Sequence, residues 1–244
     1  MPTAVRRARA DTADARDGPS WSSPAARHGV DVVGGDTTRG PLNICITALG
    51  EVPTSQALLR SGAQVGDDIY VSGNLGDARL ALEVFRGALQ VPSAVFERAR
   101  LRMEQPTPRV ALGMALRGIA HSAADISDGL LGDLKHILKA SGVGAVLETQ
   151  QVASTLACTS ISQNQFQIDV AHQLALTLSG GDDYELVFTA APAQRAAVAA
   201  AAKASQTDVT LIGQITASQG LELRTAEGGV LPNTFASFDH FKST

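Results

Sequence analysis

Asp125 and Asp128 stand three residues apart in ADISDGLLGDL, residues 124–134, with Ser127 between them, where an apolar run gives way to a helical pattern. Two carboxylates on one turn repel each other unless a proton or a cation lies between them. Magnesium is the natural cation for such a pair, because it takes hard oxygen ligands and keeps water and substrate phosphates in its remaining positions. The same residues also read as a helix start, with Ser127 as N-cap and Asp128 complementing the helix dipole. A second loop, VVGGDTTRG at 32–40, sets Asp36 behind Gly34 and Gly35. Its glycines let backbone amides come close to a phosphate, with Asp36 placed to hold a metal bridging to it. Equally, it reads as a glycine turn in which Asp36 and Thr37 bond to nearby backbone.

LSGGDDYELVF at 178–188 gathers Asp182, Asp183 and Glu185 around Tyr184, and it reads also as a helix stopped by glycine ahead of a buried strand. Arg60, in LLRSGAQVGD, offers a planar donor fork suited to phosphate oxygens, or is a solvated surface arginine. Phe238, in the terminal SFDHF, is either a ring that stacks on a planar group or part of an aromatic plug. His121 and His136 have no metal-ligand spacing to other residues and read as structural.

These loops need short elements on either side of them. VDVV (30–33) and NICITALGEV (43–52) read as strands flanking the GGDTTRG loop, and DDIYVSG (67–73) as another. Helices are expected at 77–87, 93–104 and 108–120, where Pro108 suits a first turn. The strand 123–127 runs into a helix whose Leu130, Leu131, Leu134, Ile137 and Leu138 recur every three to four residues, with Gly142 as its stop. There follow a strand at 142–152, a helix at 168–181, a strand at 184–190, a helix at 192–205 and a strand at 209–216. The order implies an α+β fold, a mixed sheet with helices on its faces.

Aliphatic residues dominate a chain whose aromatics are only 4%, so the core is aliphatic. The net charge of -4 and the lack of a basic face argue against nucleic acid as a partner. Cys45 and Cys158 form neither a zinc pattern nor a disulfide framework, and no apolar stretch has the length of a membrane span; a cytoplasmic protein with no membrane partner is expected.

GVDVVGGDTTRGPLNICITALGEV, LLRSGAQVGDDIYVSG, DISDGLLGDLKHI, LSGGDDYEL and FDHF, in this order, resemble bacterial thiamine-monophosphate kinases. Those enzymes belong with the aminoimidazole ribonucleotide synthetase-like ATP enzymes, and the likeness runs from about Ala25 to the C-terminus. It implies transfer of the γ-phosphate of ATP onto thiamine monophosphate, with Mg2+, to give thiamine diphosphate. It implies Asp36, Asp125 and Asp128 as magnesium ligands, Gly35, Arg60 and Ser127 as ATP contacts, and Asp182 and Phe238 at the thiamine phosphate. Many relatives carry Glu at the position of Asp182, and Tyr or Trp at that of Phe238. The carboxylate is thus one methylene shorter, while the stacking face is kept.

The resemblance divides the chain into a non-homologous extension at 1–24, a remnant of the N-terminal ATP- and Mg-binding domain at 25–52, and a C-terminal α+β domain at 53–244. A GDDAA-like stretch and a DTL-like strand of the family are missing from residues 1–28. Most of the family's homodimer surface is therefore expected to be lost, and the strands between Val30 and Val52 to lack sheet neighbours. The alternative to an impaired kinase is a nucleotide- and thiamine-phosphate-binding remnant without catalysis; signatures of ribonucleotide or selenophosphate synthetases are absent from the three loops. Little ADP release with thiamine monophosphate is expected of this chain alone in a coupled assay, and turnover matching a full-length relative would defeat that expectation.

Overall fold

In the computed structural model, residues 28–36, 39–158 and 168–235 are described. The chain divides into two compact units, residues 1–51 and 52–244. The second unit is built on a seven-stranded sheet of β1 (Asp68–Ser72), β2 (Ser122–Ile126), β3 (Gly144–Glu148), β4 (Glu185–Ala190), β5 (Val209–Thr216), β6 (Gly220–Arg224) and β7 (Val230–Leu231), in the order β2-β4-β1-β5-β3-β6-β7. All pairings are antiparallel except β3 with β6. Every residue of β1 is buried, as expected of a central strand covered on both faces.

Helices α1 (Asp77–Phe85), α2 (Ser93–Glu104), α3 (Val110–Ala115), α4 (Leu130–Ser141), α5 (Thr149–Ala153), α6 (Val170–Ser179) and α7 (Arg195–Ala204) surround the sheet. On one face, α4 brings Leu130, Leu131, Leu134, Ile137 and Leu138 against Ile69, Val71, Ile126 and Val187. Each such aliphatic side chain removed from water contributes roughly 1.5–3 kcal/mol, so the 3.6-residue stripe seen in the sequence is what fixes α4 in place. Gly142 ends the helix at φ 70, a left-handed conformation in which its N–H reaches the Leu138 carbonyl. On the other face Leu112, Leu116, Val198 and Ala201, from α3, α7 and the turn after α3, pack on Tyr70, Ala123 and Phe188, whose rings stack at 5.2 Å between Tyr70 and Phe188. A third apolar cluster joins α1, α2 and α6 through Leu80, Val95, Ala99 and Leu176.

Several sequence expectations are corrected. Residues 30–33 and 43–52 form no strand among the described residues; they are irregular, with Ile44 and Ile46 each 66% exposed. Alternating apolar residues are not enough for a strand, which needs a neighbour to complete its N–H and C=O ladder. The helix expected at 108–120 is confined to Val110–Ala115. The strand expected at 142–152 ends at Glu148, where the polar Thr149 and Gln150 open α5 and Val152 turns into the core. Strands β6 and β7 were not foreseen, since their alternation is short and β7 has only two residues. His121 bonds through Nδ1 to the Asp67 carboxylate at 2.8 Å, in keeping with a structural role.

Amides at 43–52 are expected to exchange with deuterium orders of magnitude faster than those of β1, which sits between two hydrogen-bonded neighbours. Protection there equal to that of β1, measured by NMR, would contradict the irregular backbone.

Candidate functional site

The β2–β4 pairing brings two of the acidic loops together. It runs from Ser122 opposite Thr189 to Ile126 opposite Glu185. Beyond the strand the two segments stay hydrogen-bonded although the strict pairing is lost, with Tyr184 N–H bonded to the Ile126 carbonyl and Asp182 N–H to the Ser127 carbonyl, both at 2.9 Å. Such close approach needs small residues at two points. A Cβ on Gly181 would lie 2.7 Å from the Ser127 carbonyl oxygen, and one on Gly129, at φ 113, would lie 2.9 Å from that of Ser179. Asp182 and Tyr184 take left-handed backbone conformations, φ 66 and φ 51, uncommon for residues with a side chain. These two are exposed, whereas Asp183 and Glu185 between and after them are buried.

Arg60 arrives by a third route. The Leu59 carbonyl accepts the Ala123 N–H at 2.8 Å, two residues before Asp125. Ser141 of α4 accepts the N–H groups of Gly62 and Ala63 at 3.1 Å each. The Arg60 guanidinium then lies 3.9 Å from the Asp125 carboxylate, with the two side chains 55% and 57% exposed. An exposed pair of this length contributes little to stability and leaves both groups accessible to a ligand. Tyr184 reports on the charge around it: burial first, then Asp182, Asp128 and Asp125, push its hydroxyl pKa up, and the hydroxyl stays protonated and donates to Asp182 at 3.4 Å. Next to this cluster opens a cavity of about 650 Å3, with Leu58, Pro106, Val110 and Leu186 on its walls and Asp125, Tyr184 and Arg109 among its polar residues.

Of the residues expected from sequence, Arg60, Asp125, Ser127, Asp128 and Asp182 thus lie on adjoining loops of one unit. Gly35 and Asp36 lie in the other unit, exposed and in irregular backbone. Phe238 and Thr37 fall outside the described residues. Ser127 is not an N-cap: α4 begins at Leu130, and its N-cap is Gly129, which has no side chain to bond the first turn. Among the described residues no group of three or more His, Cys, Asp or Glu is assembled to hold a metal. Two hard-oxygen carboxylates, one more than half exposed, fit magnesium in the form that usually reaches an enzyme, bound to phosphates and needing only one or two protein carboxylates.

Several residues that shape the site were missed. Asp133, 4% exposed, accepts the N–H groups of Ser127 and Asp128 at 3.0 and 3.1 Å on one carboxylate oxygen. Burial raises its pKa first, the two amides oppose this, and Asp125 and Asp128 raise it further. Glu185, fully buried, accepts from Ser72 Oγ at 2.5 Å, from Arg102 at 2.6 Å and from both Nε and Nη2 of Arg109 at 2.6 Å. Only the spacing of Asp133 within the DISDG loop and helix could have been noticed in the sequence; Arg102 and Arg109 are about 80 residues from Glu185 and gave no signal.

The sheet, its flanking helices and this acidic loop pair define a domain that also stands on its own in comparisons with known proteins. Residues 64–226 match the AIR synthase related protein C-terminal domain, and the chain belongs to that family. The curated relatives it matches include thiamine-monophosphate kinases. The one from Salmonella typhimurium is 39% identical over 214 residues, 87% of this chain and 64% of the relative, so the chain spans just under two thirds of that protein's length. Among solved structures, thiamine-monophosphate kinase from Stenotrophomonas maltophilia K279a is 44% identical with a TM-score of 0.74, covering 82% of this chain and 63% of that one. AaThiL complexed with AMPPCP and TMP is 25% identical with a TM-score of 0.59, covering 75% and 54%.

The buried carboxyls beneath the site set a pH dependence. Burial pushes Asp183 well above the usual carboxylate range; the Gly76 N–H, bonded at 2.8 Å, opposes this, Asp77 adds to it, Arg102 opposes it and Glu185 adds to it. The folded chain therefore holds a proton that the unfolded chain releases near pH ~3.9. The resulting stability is complete below that pH and is lost as pH rises through the folded pKa. Asp183→Asn is expected to remove a stability slope of up to ~1.4 kcal/mol per pH unit above pH ~4, seen as the difference between variant and parent in urea unfolding at several pH values. Identical slopes in the two proteins would contradict it.

Proposed function

We propose that this chain takes part in transfer of the γ-phosphoryl group of ATP to thiamine monophosphate, yielding ADP and thiamine diphosphate. The observation that carries this reading is the meeting of Asp125, Asp128 and Asp182 around Tyr184, with Arg60 at 3.9 Å from Asp125, in a chain whose relatives are thiamine-monophosphate kinases. One named structural relative was solved with AMPPCP and TMP, which agrees with the same pair of ligands here.

Phosphoryl transfer asks a protein mainly to bring two anions into line and to offset their charge. In this reading a phosphate oxygen of thiamine monophosphate forms a bond to the γ-phosphorus, the bond from that phosphorus to the β,γ-bridging oxygen breaks, and ADP leaves with the electron pair. Mg2+, when bound, neutralises charge on the phosphates. Asp125 and Asp128 would hold it, and Asp36 is proposed as a further ligand. Arg60 and the Ser127 hydroxyl donate to ATP oxygens, and Gly35 lets backbone approach them. Asp182 and Phe238 orient thiamine monophosphate.

Asp125→Asn and Asp128→Asn are each expected to weaken Mg2+-ATP binding about tenfold or more and to remove what little Mg2+-dependent ADP release the parent chain shows. Arg60→Ala is expected to weaken ATP binding about ten- to hundredfold, the effect of losing a charge-assisted hydrogen bond. Asp182→Ala should act on thiamine monophosphate binding and spare that of ATP. Calorimetric titration with Mg2+-ATP and a coupled ADP assay check these outcomes. Binding of Mg2+-ATP without ADP release would favour the non-catalytic binding module, and absence of both would overturn the reading.

A further inference from the structure

We infer that Asp133 is a positioning residue for the nucleotide site, fixing the backbone that carries Ser127 and Asp128; this rests on the phosphoryl-transfer reading above. Its position in the helix is informative. An acidic residue in a first turn ordinarily complements its own helix dipole or caps its own N–H groups. Asp133 instead reaches back past the Gly129 N-cap, and its Oδ2 accepts two amides that lie before the helix, those of Ser127 and Asp128. The N-cap residue, Gly129, has no side chain with which to cap α4.

The arrangement is electrostatically unfavourable in itself. A carboxylate 4% exposed sits near two others, Asp125 and Asp128, whose charges work against its own. What offsets this is the pair of amides, both of which donate to its Oδ2. The result is a clamp on both sides of Ser127. Its N–H goes to Asp133 at 3.0 Å and its carbonyl accepts the Asp182 N–H at 2.9 Å, while the neighbouring Ile126 carbonyl accepts the Tyr184 N–H at 2.9 Å. The segment 126–128 therefore has backbone bonds to two different elements, and one of them depends on a single side chain. A misplacement of about 1 Å in such a segment is enough to cost a large factor in the affinity or rate of a phosphate site.

One oxygen takes both amides, so an asparagine can replace Asp133 as acceptor without its charge, and an alanine cannot. Amide exchange by NMR on the ligand-free chain and calorimetry with Mg2+-ATP separate the possibilities. In Asp133→Ala, the Ser127 and Asp128 amides are expected to exchange at least tenfold faster while those of Ile137 and Val187 keep their protection, and Mg2+-ATP affinity is expected to fall at least tenfold. In Asp133→Asn, both quantities should stay within about threefold of the parent. Unchanged Ser127 and Asp128 exchange in the alanine variant would overturn the inference, as would an asparagine variant that loses as much affinity as alanine. Faster exchange with full Mg2+-ATP affinity in the alanine variant would also overturn it. Failure of the unmutated chain to bind Mg2+-ATP would instead sink the phosphoryl-transfer reading, and the exchange data would then be read separately.

Discussion

The antiparallel pairing of β2 with β4 is the constraint on which the site depends. A sheet register holds residues far apart in sequence to within a few ångströms, and here hydrogen bonding between the two segments continues past the ends of both strands through the Ile126 and Ser127 carbonyls. It joins the DISDG loop to the GGDDY loop, although they are more than 50 residues apart in the chain. Slipping the register by one residue would turn every side chain of β2 to the opposite face. Ala124 and Ile126, now in the core with α4, would exchange places with Ala123 and Asp125. Burying an unpaired Asp125 would cost several kcal/mol, so the apolar pattern and the charge select the same register.

Beneath the exposed carboxylates lies a second, buried set with a different role. Glu185 bonds to Arg102, Arg109 and Ser72, and so ties β4 to β1, α2 and the segment leading into α3. Breaking one side of such a pair leaves an uncompensated charge in low dielectric, which is why removal of a partner is far more disruptive than its net contribution to stability suggests. Among the described residues Asp183, in contrast, accepts only the Gly76 N–H through one oxygen and has no hydrogen-bond partner at the other. Its environment keeps a proton on the folded chain. Alternation along residues 182–185 thus sends two side chains to the surface and two into the interior, where the loops are fixed.

The helices were legible because their signal is local. The stripe of Leu130, Leu131, Leu134, Ile137 and Leu138 and the stop at Gly142 reappear in α4, and residues 93–104 form α2 over the same range. Strands were legible where apolar residues alternate and a neighbour exists, as at 68–72, 185–190 and 209–216. They were not legible at 43–52, because a strand is completed by a partner that its own residues do not encode. In the same way Ser127 satisfied the composition of a cap, yet the helix begins only at Leu130 after Gly129, and the Ser127 amide itself goes to Asp133, six residues on.

By itself the sequence determined the aliphatic core, the helices with a clear stripe, the glycines that let loops approach, and the residue types of an acidic site, all of them properties of short windows. The tertiary structure decided which carboxylates are exposed and which are buried, the meeting of Arg60 with Asp125, the two arginines on Glu185, and the clamp of Asp133 on Ser127 and Asp128. The physical reason is that charge and hydrogen-bond energies depend on distance and burial in three dimensions. Neither quantity is carried by a residue's type or by its spacing from its neighbours along the chain.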